Sequence, residues 1–172
     1  MSIEFASPPL LAATKKINGA QSEMGRLDEF LALKPFDTEV APLRWAAITT
    51  VATALHNIYN GMEDVMKVVC RDVDGFVPGG GSSHQDILDQ VASPRKGIRP
   101  ALVSEEWYPD VNELRAFRHV VNHNYANELR EDLVTANLER MRDVFPKFLE
   151  ALQELDDFLS SPAPSALDPF EK

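Results

Sequence analysis

An all-α fold, a bundle of about five helices with a long central pair, follows from three features of the 172-residue chain. Apolar residues recur at spacings of three and four along almost its whole length. Alternation of the kind that makes half-buried strands is absent. Proline- and glycine-bearing stretches at 35, 74–81 and 94–109 separate the periodic segments.

The first helix is expected over 8–34. Pro8 and Pro9 open it, Leu10, Ile17, Met24, Leu27 and Leu31 supply its apolar face, and Pro35 ends it. The second runs over 38–73, with Thr38 as its N-cap and Pro42 in its first turns. Ile48, Val51, Leu55, Ile58, Met62, Val65 and Val69 step by three or four and form a core-facing stripe. DGFVPGGG at 74–81 is a loop. Ser83 and Asp86 make a capping box for a short helix at 83–93. Residues 94–109 carry Pro94, Gly97, Pro100 and Pro109 and are irregular. Asp110 and Glu113 repeat the capping-box pattern before a fourth helix at 111–129. The fifth starts near Thr135 and reaches 159, with a kink expected at Pro146. The second helix with the fourth or fifth forms the expected core pair.

Composition narrows the function classes. Lys plus Arg is 17 against 27 Asp plus Glu, a net charge of −10. Such a chain does not coat nucleic acid or an anionic membrane through net charge, so a phosphate ligand needs a local cluster of cations. The single cysteine, Cys70, excludes an internal disulfide framework and fits a reducing compartment and a small apolar core group. No run approaches roughly 18 consecutive apolar residues, so no membrane span is expected. The N-terminus lacks the basic and apolar regions of a secretory leader, and a cytoplasmic address is expected.

The chemistry concentrates in LRAFRHVVNHNYAN at 114–127. On a helical wheel Leu114, Phe117, Val120 and Val121 form a core face, while Arg115, Arg118, Asn122 and Tyr125 form a stripe on the other side. His119 and His123 stack one stripe over. No acid occurs between 114 and 127, which makes a local electropositive, hydrogen-bonding surface in an acidic chain. Arginine matches phosphate oxygens with a fixed cationic fork, and histidine gives and takes protons near neutral pH. Together they fit cleavage of RNA without metal, imidazole handling the 2′-hydroxyl or leaving-oxygen proton and arginine the pentavalent charge. A polar face satisfied by its neighbours is the competing reading. Arg118 and His123 differ by about 140° around the helix axis and about 7.5 Å along it. That offset favours a two-fold dimer with a composite cleft. His119 and His123 also match metal-ligand spacing, but Val120 stands where a zinc-protease helix has glutamate, and Glu113 and Glu128 offer no third ligand. No metal or other cofactor is expected.

Arg118-x4-His123-x-Tyr125 resembles the R-x4-H-x-Y motif of the HEPN superfamily, in particular HepT-like ribonuclease toxins. His119 after the arginine fits the polar residue favoured there. The likeness covers roughly 40–158. Two departures stand out: a longer N-terminal helix, and Asn122 where an apolar residue is commoner. The resemblance implies a ribonuclease toxin, endo- or exonucleolytic, with Arg118 and His123 catalytic and Arg115, His119 and Asn122 binding or supporting substrate. It also implies a homodimer acting on RNA, with no DNA expected. A cognate nucleotidyltransferase antitoxin would attach AMP to Tyr125. A non-catalytic HEPN-type subunit partnering a nucleotidyltransferase is the alternative. The expected organisation is an N-terminal helical extension at 1–37, a HEPN-like domain at 38–160 and a disordered tail at 161–172.

Other groups have plainer readings. Gly79–Gly81 lacks the Lys-Ser/Thr ending of a phosphate-binding P-loop and reads as a flexible loop before a helix. Arg95, Lys96 and Arg99 read as a solvated basic turn, with a second RNA contact as the other reading. His56 and Tyr59, one turn apart on the second helix, read as core packing or as lining of the same cleft.

Overall fold

The computed structural model describes residues 2–123 and 129–161, and of His123 the backbone alone. Five helices make up these residues, with no strand among them: α1 (Leu11–Ala32), α2 (Ala41–Val68), α3 (Ser83–Ala92), α4 (Tyr108–His123) and α5 (Glu131–Ser160). A 3-10 turn at Pro8–Leu10 leads into α1, and a π turn at Val69–Val73 extends α2.

The α2 stripe is the spine of the core. Val51, Leu55, Ile58, Met62, Val65 and Val69 are all buried, while Ile48 is half-buried against the cluster. Each fully buried aliphatic side chain of this kind contributes about 1.5–3 kcal/mol relative to exposure. The most extensive partner of α2 is α1, not α4 or α5 as expected. Gly61 is the reason the two approach so closely: a Cβ there would lie 2.8 Å from the Ala20 Cβ. Ala13, Ile17, Ala20 and Leu27 bury the facing side of α1.

Residues 3–7 are stitched across the bundle. Ile3 exchanges two 2.8 Å hydrogen bonds with the Asn18 side chain. The amides of Ala6 and Ser7 donate to the buried Asp156 carboxylate of α5, each at 2.8 Å. Burial opposes the Asp156 charge, but hydrogen bonds from this segment outweigh it and hold the carboxyl below its ordinary range.

Helix ends depart from the expected signals for local reasons. Thr38 precedes α2, whose N-cap is Val40; the Thr38 hydroxyl accepts from the Val40 amide at 3.2 Å instead. The N-cap of α3 is Ser82, not Ser83, and its hydroxyl donates to Asp86 at 2.6 Å. α4 begins at Tyr108 because Pro109 is well suited to a first helical turn. Asp110 is therefore inside the helix, and its carboxylate accepts from Arg140 of α5 at 2.9 Å. α5 begins at Glu131, where Arg44 of α2 makes a two-pronged pair with the Glu131 carboxylate at 2.6 and 3.0 Å. α5 runs through Pro146 as one helix, with Val144, Phe145 and Phe148 buried on both sides of it.

The basic turn at 95–99 is solvated only in part: Lys96 is exposed and Arg95 half-buried, but Arg99 is a buried structural clamp. Arg99 and Asp74 have fully buried side chains. Arg99 Nε and Nη2 donate to the two Asp74 oxygens at 2.7 and 2.8 Å. Its remaining donors take the carbonyls of Gln90, Val91, Ser93 and Pro100. Gly97, at φ 77, allows the turn that returns Arg99 beside Arg95. The clamp fixes the C-terminal end of α3 to the end of α2, and so sets where the other end of α3 lies. Cys70 is buried in the same region, its thiol pushed up to about 11 by burial and the nearby Asp74.

Candidate active site

Where α2, α3 and α4 meet, one carboxylate gathers three donors. Tyr59, Met62, Glu63 and Met66 lie on the buried side of α2, so Glu63 points into the bundle and its side chain is 2% exposed. Burial of an unpaired carboxylate is prohibitive, and partners are obligatory. Lys67 Nζ, one turn along α2, lies 2.6 Å from Glu63 Oε1. Arg118 Nη1 of α4 donates to Oε2 at 3.1 Å, and His84 Nδ1 of α3 lies 2.8 Å from the same oxygen. Arg118 is accordingly not on an outer solvated stripe. It is largely buried between α4 and α2 at 17% side-chain exposure, with its Nε making no hydrogen bond among the described residues.

The rest of the predicted stripe divides. Arg115 is half-buried and donates to Asn112, one turn back, at 3.0 Å. His119 and Asn122 are exposed. Val111, Leu114 and Phe117 form the buried face of α4, with Val120 and Val121 half-buried. The side chain of His123 and the whole of Tyr125 lie outside the described residues.

A cleft of about 540 Å³ opens beside His84. Arg115, Ala116, His119 and Val120 of α4 form one wall, and Gly81, Ser82, His84 and Gln85 form the other. The glycine loop is thus part of the site, as a wall rather than a phosphate-gripping P-loop. Gly80, at φ 99, has the left-handed conformation that glycine adopts without strain. Gln85 donates to the Tyr108 hydroxyl at 2.8 Å, and that hydroxyl donates to Asp89, which fixes the start of α4 against α3.

His56 and Tyr59 underlie α4 rather than opening into this cleft. Tyr59 is buried, and desolvation, reinforced by the Glu63 charge, raises its hydroxyl far above the ordinary range. Asn60 donates to His56 Nε2 at 2.7 Å, with the His56 ring in its neutral acceptor form. Desolvation and then the Arg118 charge lower the His56 pKa, which keeps that ring neutral.

Sequence reasoning missed Glu63, Lys67 and His84. A signal for Glu63 was present: it is the first acid after the acid-free stretch 42–62, on the core-facing side of an otherwise apolar stripe. His84 carries no such signal until α3 is placed.

No helix among the described residues is long and apolar enough to cross a membrane. No curated protein and no solved structure matches the chain. A family model described as HepT-like protein matches residues 50–159, from the middle of α2 through α5, with the whole cleft inside the match. The chain belongs to the HepT-like family of HEPN proteins.

Proposed function

We propose that the protein is a metal-independent ribonuclease, the toxin of a toxin–antitoxin pair. The observation that carries this reading is Arg118, tethered to Glu63 beside a cleft lined by His84, Arg115 and His119 in a chain of net charge −10. The motif Arg118-x4-His123-x-Tyr125 lies on the same helix and the segment that follows it.

The 2′-oxygen of the substrate ribose attacks the adjacent phosphorus, and the bond to the 5′-oxygen breaks. A 2′,3′-cyclic phosphate and a free 5′-hydroxyl result. Arg118, with one guanidinium nitrogen held by Glu63, offers its other donors to the phosphoryl oxygens as charge builds there. His123 carries one of the two protons that the reaction moves. Arg115, His119 and Asn122 bind the flanking backbone. The five-residue offset between Arg118 and His123 favours their meeting in one cleft across a two-fold axis, and the working unit in this reading is a homodimer. Tyr125 is the point at which a cognate nucleotidyltransferase silences the enzyme by adding AMP. The site of action is the cytoplasm.

The test is cleavage of single-stranded RNA by unmodified protein in excess chelator. Cleavage there, lost in His123→Ala, supports the reading. Cleavage that vanishes with chelator and returns with divalent metal contradicts it. Binding of RNA without cleavage marks a non-catalytic HEPN-type subunit instead.

A further inference from the structure

Attack by a 2′-hydroxyl moves two protons, one off the attacking oxygen and one onto the leaving oxygen. The Arg–His motif supplies one imidazole, His123. Two further imidazoles, His84 and His119, stand in the described cleft, and of these His84 has a buried carboxylate behind its ring. His84 is in the first turn of α3, directly after the glycine loop, and its ring lines the wall opposite Arg115 and His119. Its Nδ1 lies 2.8 Å from Glu63 Oε2. A carboxylate oxygen only accepts, so Nδ1 carries the hydrogen and donates it. The tautomer is thereby set, and in the neutral ring the lone pair is on Nε2. No described group bonds Nε2, and the side chain is 42% exposed. A carboxylate behind one ring nitrogen, with the other open to a cleft, is the arrangement that orients a proton-transferring histidine.

Glu63 is suited to the supporting part. It is held by core packing of α2 and by Lys67 at 2.6 Å, and its Oε2 serves both His84 and Arg118. One buried oxygen therefore fixes the phosphate-binding cation and the imidazole relative to each other. The charged and titratable groups around His84 are Glu63 and Lys67 of α2 and Arg115, Arg118 and His119 of α4.

We propose that Glu63 and His84 form a second proton-transfer pair of this cleft, acting on single-stranded RNA. His84 is the catalytic base and Glu63 the positioning residue. This rests on the ribonuclease reading above. His84 Nε2 takes the 2′-hydroxyl proton as the 2′-oxygen bonds to phosphorus. The phosphorus–5′-oxygen bond breaks with its electron pair on the oxygen, which takes its proton from the His123 imidazolium. The neutral His123 and the protonated His84 then exchange protons with water, restoring both.

The experiment measures kcat/KM on a single-stranded oligoribonucleotide from about pH 5 to 9, with full-length protein expressed without its partner. Wild type, His84→Ala and His84→Gln are compared. Glutamine can still donate to Glu63, so it restores a structural role but not a basic one. Both variants are expected to lose about 10²–10⁴-fold. Both should also lose the acid limb of the profile, and added imidazole should partly rescue the alanine variant. A wild type that cleaves while either variant stays within a few-fold of it overturns the pair and leaves the ribonuclease reading standing. A wild type that does not cleave RNA at all overturns the ribonuclease reading, and the pair with it.

Discussion

Arg118→Ala separates catalysis from folding, because the structure gives the two effects different sizes. Arg118 Nη1 donates to Glu63 Oε2 at 3.1 Å. Deleting the guanidinium removes one charge-assisted hydrogen bond, worth about 1.5–3 kcal/mol. Glu63 is not left bare, since Lys67 at 2.6 Å and His84 at 2.8 Å remain. Glu63→Ala, in contrast, strips the acceptor from three buried or half-buried donors and should cost about 3–5 kcal/mol. Against a domain stability of about 5–15 kcal/mol, Arg118→Ala stays folded. Its cleavage rate should nevertheless fall by about 10²–10⁴-fold, equivalent to about 3–5 kcal/mol of barrier. Urea unfolding with an unchanged m-value, run beside RNA cleavage, reads both quantities. A folded and fully active Arg118→Ala refutes the catalytic role. A variant destabilised as much as Glu63→Ala makes Arg118 a structural partner whose activity loss is secondary.

The remaining expectations follow from other contacts. Arg99→Ala leaves Asp74 buried beside only Arg95 and Gln90, and should lower stability by about 3–5 kcal/mol in the same urea assay. Burial alone would raise the Asp74 pKa, but hydrogen bonds from Arg99 and Gln90 more than offset this and lower it. The clamp's stability is therefore fully present above the ordinary carboxylate range and lost as pH falls through the depressed value. Midpoints measured from about pH 6 downward should fall less steeply in Arg99→Ala than in wild type. Tyr125→Phe should leave cleavage intact and abolish neutralisation by the partner nucleotidyltransferase. Intact mass after co-expression checks this, and a phenylalanine variant neutralised equally well sinks the tyrosine switch.

Much of the architecture was legible because periodicity reports burial directly. The stripe from Val51 to Val69 is core as read, and the loops at 74–81 and 94–107 lie where proline and glycine put them. Charge was the harder signal. Arg95, Lys96 and Arg99 look alike in sequence, yet Arg99 is buried, Arg95 is half-buried and Lys96 is exposed. The difference is made by Asp74, 25 residues upstream, and no local pattern encodes that pairing. Arg118 posed the same problem. Its helical phase matches a surface stripe, but Glu63 of α2 supplies a buried acceptor 55 residues away that draws it inward. Helix starts were misread where two signals competed, as at Tyr108, where Pro109 marks the helix start better than the Asp110–Glu113 capping box.

The central claim is that Arg118 of one chain and His123 of another act on the same phosphodiester. Mixing Arg118→Ala and His123→Ala proteins under conditions that exchange subunits tests it most directly. Each parent alone should be nearly inactive. In a randomised equal mixture half the dimers are mixed, each with one intact cleft of two, so recovery should approach about a quarter of wild-type activity. No recovery, with subunit exchange verified by mass, contradicts a cleft shared between chains.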